Sequence, residues 1–207
     1  MANNLVITVS RQFGSNGRHI GEALAKRLNL KYYDKNLIKI AAKENGLSEK
    51  LFEKADEMPS NSFLYTLSLN SRSYNPTLNY MECLTNDKLF LMQAKVIKDL
   101  ANESPCLIVG RCADYILRGK PNCFNIFIHA SEEYRIEHVM RENEIERAAA
   151  IEMIKKIGKK RASYYNYYSD VEWGDARNYD LTLDVTDLSI DTAVDILEAY
   201  INSVREK

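Results

Sequence analysis

Residues 5–28 carry the pattern that most narrows the fold. Leu5-Val6-Ile7-Thr8-Val9 is apolar and β-branched, which reads as a buried strand. Phe13-Gly14-Ser15-Asn16-Gly17 follows as a turn. From Arg18 the spacing becomes helical, with Ile20, Ala23, Leu24 and Leu28 three and four apart. A strand, a glycine turn and a helix within about 30 residues form the first unit of an open α/β sheet. Glycines let backbone N–H groups converge on an anion, and the helix adds the positive end of its dipole.

The same alternation continues along the chain. Lys31-Tyr32-Tyr33 is a short second strand closed by Asp34, and residues 37–42 are helical with a stop at Gly46. Ser48 caps the next helix. Residues 58–86 are rich in Ser, Asn and Tyr with weak periodicity, and read as a mobile lobe or an extended, solvated insertion. Residues 87–103 form a helix with Leu89, Gln93, Val96 and Leu100 on one face. Cys106-Leu107-Ile108-Val109 and Phe124-Asn125-Ile126-Phe127-Ile128 are buried strands. Ser131 caps a helix opened by Glu132 and Glu133, and residues 146–168 form a long charged helix. A last strand over 181–185 precedes a helix from Ser189.

Five short strands alternating with helices predict an α/β fold: a mostly parallel sheet covered on both faces, in one domain over residues 1–207. Such sheets bind ligands at the carboxyl ends of their strands. Those ends are 10–17, Asp34, 110–114, 129–131 and 184–187.

Composition excludes other classes. Hydrophobic residues make up 45% of the 207-residue chain and the net charge is -1, unlike a general nucleic-acid binder. No apolar run approaches ~18 residues, so no membrane span is expected. The N-terminus lacks a signal-peptide core, which suits a soluble, cytoplasmic protein. Cys83, Cys106, Cys112 and Cys123 show no paired spacing and read as free thiols. The three histidines are too few and too scattered in sequence for a metal site.

Four groups of residues carry candidate chemistry. Residues 12–19 align with a Walker A loop, but Gln12 stands at the first glycine, Arg18 at the lysine and His19 at the hydroxyl position. Gly14, Ser15, Asn16, Gly17, Arg18 and His19 then form either a phosphate cradle or a ligand-free turn. Arg111 sits at a strand end, placed to grip phosphate bidentately or to pair with Asp114 or Asp34. Lys156, Lys159, Lys160 and Arg161 offer cations to a transferring phosphoryl group, or a solvated helix face. Asp34 accepts a proton, holds Mg²⁺ through water, or caps a helix over 36–45. The tyrosines following Arg161 suit core or interface packing better than base stacking.

The segments Ile7-Thr8-Val9-Ser10-Arg11-Gln12-Phe13-Gly14-Ser15-Asn16-Gly17-Arg18, Tyr33-Asp34-Lys35, Val109-Gly110-Arg111-Cys112-Ala113-Asp114-Tyr115 and Lys160-Arg161-Ala162-Ser163-Tyr164-Tyr165 together resemble the cytidylate kinase-like family. The resemblance runs in order over residues 5–200. It implies a three-layer αβα P-loop kinase fold with a helical lid over 146–178 and an acceptor-binding insertion over 58–86. It implies ATP-dependent, Mg²⁺-assisted phosphoryl transfer to a nucleoside monophosphate, CMP or dCMP first. Arg18, Asp34, Arg111 and Arg161 would be catalytic; Asp34, Arg111 and Asp114 would meet the acceptor. The chain departs from the pattern at Arg18, at His19, and in placing its acid at Asp114 and not beside Arg111. A nucleotide-binding or sensing module without transfer, or a kinase of a non-nucleotide small molecule, are the other readings. The oligomeric state is left open between monomer and homo-oligomer.

Overall fold

The computed structural model describes residues 4–34 and 76–205; within α2, residues 76–86 and residue 89 are described by their backbone alone. In chain order the elements are β1 (Val6–Arg11), α1 (Gly17–Arg27), β2 (Lys31–Tyr33), α2 (Pro76–Glu103), β3 (Cys106–Val109) and α3 (Ala113–Ile116). β4 (Cys123–His129), α4 (Glu132–Asn143), α5 (Arg147–Ser169), β5 (Leu181–Asp184) and α6 (Ile190–Arg205) follow. The strands lie in the order β2-β3-β1-β4-β5, and every described pairing is parallel.

Side-chain alternation sorts the sheet into two covered faces. Ile7 and Val9 of β1, Leu107 and Val109 of β3, and Ile126 and Ile128 of β4 point one way, into a core closed by Ile20 and Leu24 of α1 and Leu197 and Ile201 of α6. Val6 and Ile108 point the other way, onto Val96, Ile97 and Ala101 of α2. A smaller cluster joins α4 to α5 through Ile136, Val139, Ala150 and Ile154, with Phe13 of the glycine loop packed against it. The sheet is thus a middle layer between helices, as the αβα expectation required.

The strand ends bring the candidate residues together. β1 pairs with β3 from Val6↔Cys106 only as far as Val9↔Val109, but with β4 as far as Arg11↔Ile128. β3 therefore leaves the sheet first. Gly110, Arg111 and Cys112 turn away at φ 76, 61 and 53. The gap that opens beside the end of β1 is the crevice expected where strand order diverges about a central strand.

Several boundaries sharpen. The helix expected to start at residue 87 begins at Pro76. Proline suits a first helical position because its missing N–H has no partner there. The Thr-Leu-Asn-Tyr-Met-Glu-Cys stretch after it lacks an apolar stripe, so periodicity did not reveal it. The remaining reading of a lobe or insertion over 58–75, the helix over 37–42, its stop at Gly46, the cap at Ser48 and Cys83's side chain lie outside the described residues. Ser131 caps α4 as read, its Oγ accepting from Tyr134 N–H at 3.3 Å. Cys106, Cys112 and Cys123 are free thiols. Burial holds Cys106 protonated, pushed up to about 11, and Cys123 up to about 12.

Candidate functional site

The glycine loop joins β1 to α1 through two left-handed residues, Gly14 at φ 82 and Asn16 at φ 59. Ser15 between them is fully buried. Its hydroxyl bonds the carbonyls of Gln12 at 3.0 Å and Ile128 at 3.3 Å, so it fastens the loop to β4 and turns only backbone outward. Ile20 N–H is bonded to Asn16 C=O at 3.0 Å. The N–H groups of the first turn of α1, Gly17 to His19 among them, have no partner earlier in the helix and are left for a ligand or solvent.

Arg11 is the residue around which the crevice is built. Its guanidinium lies 3.9 Å from Asp34. A Cβ on Gly17 would sit 2.6 Å from the Arg11 Cβ, and one on Gly110 would strike the Arg11 Nη1. Both glycines make room for this one side chain, one from α1 and one from the end of β3. The sequence offered a signal, a cation closing the central strand, but the Walker A alignment drew attention to residues further on.

Asp34 is buried at the end of β2 and pairs with two cations, Arg11 and, at 3.1 Å, Arg18 Nε. Arg161, half-buried on α5, donates through Nη1 to the main-chain oxygen of Arg11 at 2.8 Å. Its guanidinium carbon stands 5.6 Å from the centre of the Phe13 ring. Burial, then the neighbouring charges of Arg11 and Arg111, push the Arg161 guanidinium down to about 9, against the pull of Asp34. Among the described residues, Arg11, Arg18 and Arg161 thus lie within the field of one buried carboxylate, and Arg111 stands near Arg161. This excess of positive charge in a partly desolvated crevice attracts anions. The loop, Arg11, Arg18, Asp34 and Arg161 bound a cavity of about 170 Å³. A smaller space of about 50 Å³ adjoins it, with Arg111 and Gly110 in its wall and Arg11 and Arg161 shared between the two.

Asp114 takes a different place. It is buried on α3 and accepts a 2.6 Å hydrogen bond from the Tyr165 hydroxyl of α5. Burial raises its carboxyl above the usual range, and the Tyr165 bond opposes that rise. Asp114 ties α3 to α5 and lines a separate cavity beside Tyr115 and Arg118. Lys156 and Lys159 stay exposed on α5. The tyrosines after Arg161 pack on α2, with Tyr168 stacked on Phe90 at 3.9 Å and Tyr164 edge-on to it at 6.4 Å.

Arg18 and His19 are both engaged. Arg18 leans onto Asp34, and His19 turns its Nδ1 to Asn16 Oδ1 at 3.0 Å. The sequence reading held the three histidines too few and too scattered for a metal site; the fold brings two of them together. His19 lies beside His138 and Glu142 of α4, with three ligand-capable atoms all within 4.8 Å of one another. The contact joins residues far apart in sequence, which spacing along the chain cannot reveal.

A glycine loop after the central strand of a parallel αβα sheet, leading straight into a helix, is the P-loop kinase architecture. The chain belongs to the cytidylate kinase-like family, whose profile matches residues 6–187. It is similar to the crystal structure of an uncharacterized protein from Eubacterium ventriosum ATCC 27560, at 27% identity and TM-score 0.73, over 97% of this chain and 99% of that one. It is also similar in fold to a shikimate kinase from Bacteroides thetaiotaomicron, at 12% identity and TM-score 0.56, over 96% and 98% of the two chains. A gluconokinase from Sinorhizobium meliloti 1021 matches at 13% identity and TM-score 0.53, over 100% and 96%. No curated protein matches the sequence. Among the described residues no helix is long and apolar enough to cross a membrane.

Proposed function

We propose that the chain transfers the γ-phosphoryl group of ATP to a nucleoside monophosphate, with CMP or dCMP as the first acceptors to try. The observation that carries this reading is the meeting of Arg11, Arg18 and Arg161 about Asp34, beside the backbone of residues 14–17, with Arg111 in the adjoining space. Loop N–H groups and the α1 terminus hold the donor phosphates. Arg111, in the adjoining space, holds the acceptor. Arg11 and Arg161, common to both spaces, lie where the transferring group passes. In that transfer the bond from the γ-phosphorus to its bridging oxygen breaks as the acceptor oxygen bonds to phosphorus, and ADP leaves. Positioning and charge stabilisation supply most of the rate in such a step.

The donor set fits the nucleotide's phosphates better than it fits its metal. Mg²⁺ prefers hard oxygen ligands and keeps several waters. His19 offers nitrogen, and the Ser15 hydroxyl is turned to backbone carbonyls. Asp34 and, on the rim, Glu142 are the carboxylates at hand among the described residues, together with substrate oxygens and water. When bound, Mg²⁺ would neutralise charge on the β- and γ-phosphates.

An assay following ADP release from ATP and Mg²⁺, over a panel of CMP, dCMP, UMP, AMP, shikimate and gluconate, tests the reading. Release with CMP or dCMP above the acceptor-free rate supports it. Release only with a non-nucleotide would move the acceptor, and release with none would sink the transfer. One observation favours a second reading, a nucleotide-binding module without transfer: Arg18 is already committed to Asp34. Saturable nucleotide binding in calorimetry with no turnover would select it.

A further inference from the structure

The rim of the phosphate cavity carries a second cluster that the proposed transfer does not use. His138 and Glu142 lie one turn apart on α4, with Nε2 and Oε2 3.3 Å apart. His19, from the first turn of α1, brings its Nε2 to 3.9 Å from the other carboxylate oxygen. Two ligands at ~2.1 Å on a tetrahedral ion stand about 3.4 Å apart, so His138 and Glu142 already match one metal, and the three ligand atoms, all within 4.8 Å of one another, close on it with shifts of at most about 1.4 Å.

The rings are oriented by what lies behind them. Asn16 Nδ2 donates to the Tyr134 hydroxyl at 3.0 Å, which leaves Asn16 Oδ1 as the atom facing His19 Nδ1. A carbonyl oxygen only accepts, so Nδ1 carries the proton and the Nε2 lone pair is directed at Glu142. Metal-binding histidines are held by this kind of outer partner. The His138 ring is stacked on Tyr134, with centroids 6.2 Å apart and planes 6° from parallel. Three donors from two elements thus converge, and the two imidazole rings are set in orientation before any ligand arrives.

The geometry points to a binding site for a divalent first-row transition ion of the Zn²⁺ or Co²⁺ class, held by His19, His138 and Glu142. Two imidazoles and one carboxylate suit such ions and discriminate against Mg²⁺ and Ca²⁺, which take oxygen ligands. Three protein ligands leave at least one position open, the arrangement of a metal that also meets a substrate. All three residues line the same cavity as Gly14, Gly17 and Arg18. A phosphate oxygen on the loop is the substrate atom this open position would meet. The assignment stands whether or not the chain transfers phosphate.

The test uses the full chain, freed of metal by chelation and without nucleotide. Co²⁺ is titrated while its visible absorption is followed, and Zn²⁺ is titrated by calorimetry. One equivalent is expected, with Zn²⁺ displacing Co²⁺ and excess Mg²⁺ displacing neither. Losing even an outer partner of a metal ligand costs about ten- to a hundredfold in affinity, so His138→Ala and Glu142→Gln should each weaken binding by at least about tenfold. His129→Ala is the control, since His129 faces Asp184 at 3.8 Å on another part of the sheet. Absence of saturable binding, or affinity unchanged in folded Glu142→Gln, overturns the site. Affinity lost in His129→Ala and kept in the α4 variants overturns it too. Glu142 is half-exposed, so that variant remains informative even where His138→Ala fails to fold.

Discussion

Arg161 donates to the main-chain oxygen of Arg11 across 2.8 Å, which fastens the middle of α5 over the end of the central strand. The bond uses one edge of the guanidinium. The rest of the fork stays in a crevice shared with Arg11, Arg111 and Asp34. A cation held there by a neutral acceptor keeps its charge for an incoming anion.

Arg161→Ala is expected to lower turnover by roughly a hundredfold or more while changing nucleotide affinity much less, because cations at a transferring phosphoryl group act mainly on the transition state. Steady-state kinetics beside calorimetry read the two effects. Equal losses in both would assign Arg161 to binding alone. The wild-type protein also carries a pH signature. Burial and like charge have pushed the free guanidinium down to about 9, and bound phosphate pulls it back up. Binding therefore takes up a proton. Affinity is full below the free-state value and falls as pH rises through it, by at most about tenfold per pH unit. Arg161→Ala should flatten that fall.

Gly110→Ala isolates the packing of Arg11. At φ 76 a side chain is strained, and the added Cβ also strikes the Arg11 guanidinium. Gly119 is the comparison, since it has φ 79 with nothing within 4 Å of an added Cβ. Gly119→Ala should cost only the backbone term, about 1 kcal/mol. Gly110→Ala should cost more and should also weaken binding of inorganic phosphate. Denaturant unfolding and calorimetry compare the two variants. Equal stabilities with unchanged phosphate binding would show that Arg11 needs no such room.

Much of the sheet was legible because each strand is a short apolar, β-branched run and each helix face repeats at three and four residues. Ser131 and the αβα layering followed from the same local rules. The candidate cations at Arg18, Arg111 and Arg161 were readable from their places after strands or from resemblance; the fold sets Arg18 and Arg161 about Asp34 and Arg111 in the adjoining space. Arg11 was not singled out, because its setting depends on β3 leaving the sheet two residues before β4 does. That is a relation between strands, which no window along the chain contains. The meeting of His19 with His138 was hidden for the same reason. The start of α2 was missed because its first turns lack an apolar stripe.

Tyr165→Phe tests the tie between α3 and α5. It removes the 2.6 Å bond to a buried carboxyl group. An unsatisfied buried polar group costs about 1–3 kcal/mol, and denaturant unfolding at neutral pH should register a loss of that order. The pH dependence should also steepen. Burial raises the Asp114 carboxyl, so the folded protein holds this proton more tightly than the unfolded chain. Stability from this group is present at low pH and declines as pH climbs through the folded-state value. The tyrosine bond opposes the rise, so its removal widens the window of decline. A variant as stable as wild type, with an unchanged profile, would mean that water replaces the hydroxyl fully.

Asp34→Asn separates a charge role for this residue from a capping role. As the carboxylate facing Arg11 and Arg18, Asp34 offsets part of the positive field in which phosphate would sit. Neutralising it frees Arg18 and removes a repulsion toward anions. Ground-state affinity for inorganic phosphate or ADP should therefore rise severalfold at low ionic strength. The gain should fade as salt shortens the Debye length from ~30 Å at 0.01 M toward ~8 Å at physiological strength. Turnover, if transfer occurs, should fall at the same time, because Arg18 and Arg11 lose the group that orients them. The Asp34 charge also holds the Arg161 guanidinium up, so the alkaline fall in affinity should move to lower pH in this variant. A residue that merely caps a following helix would leave stability and all three readouts in place, since asparagine caps as well as aspartate.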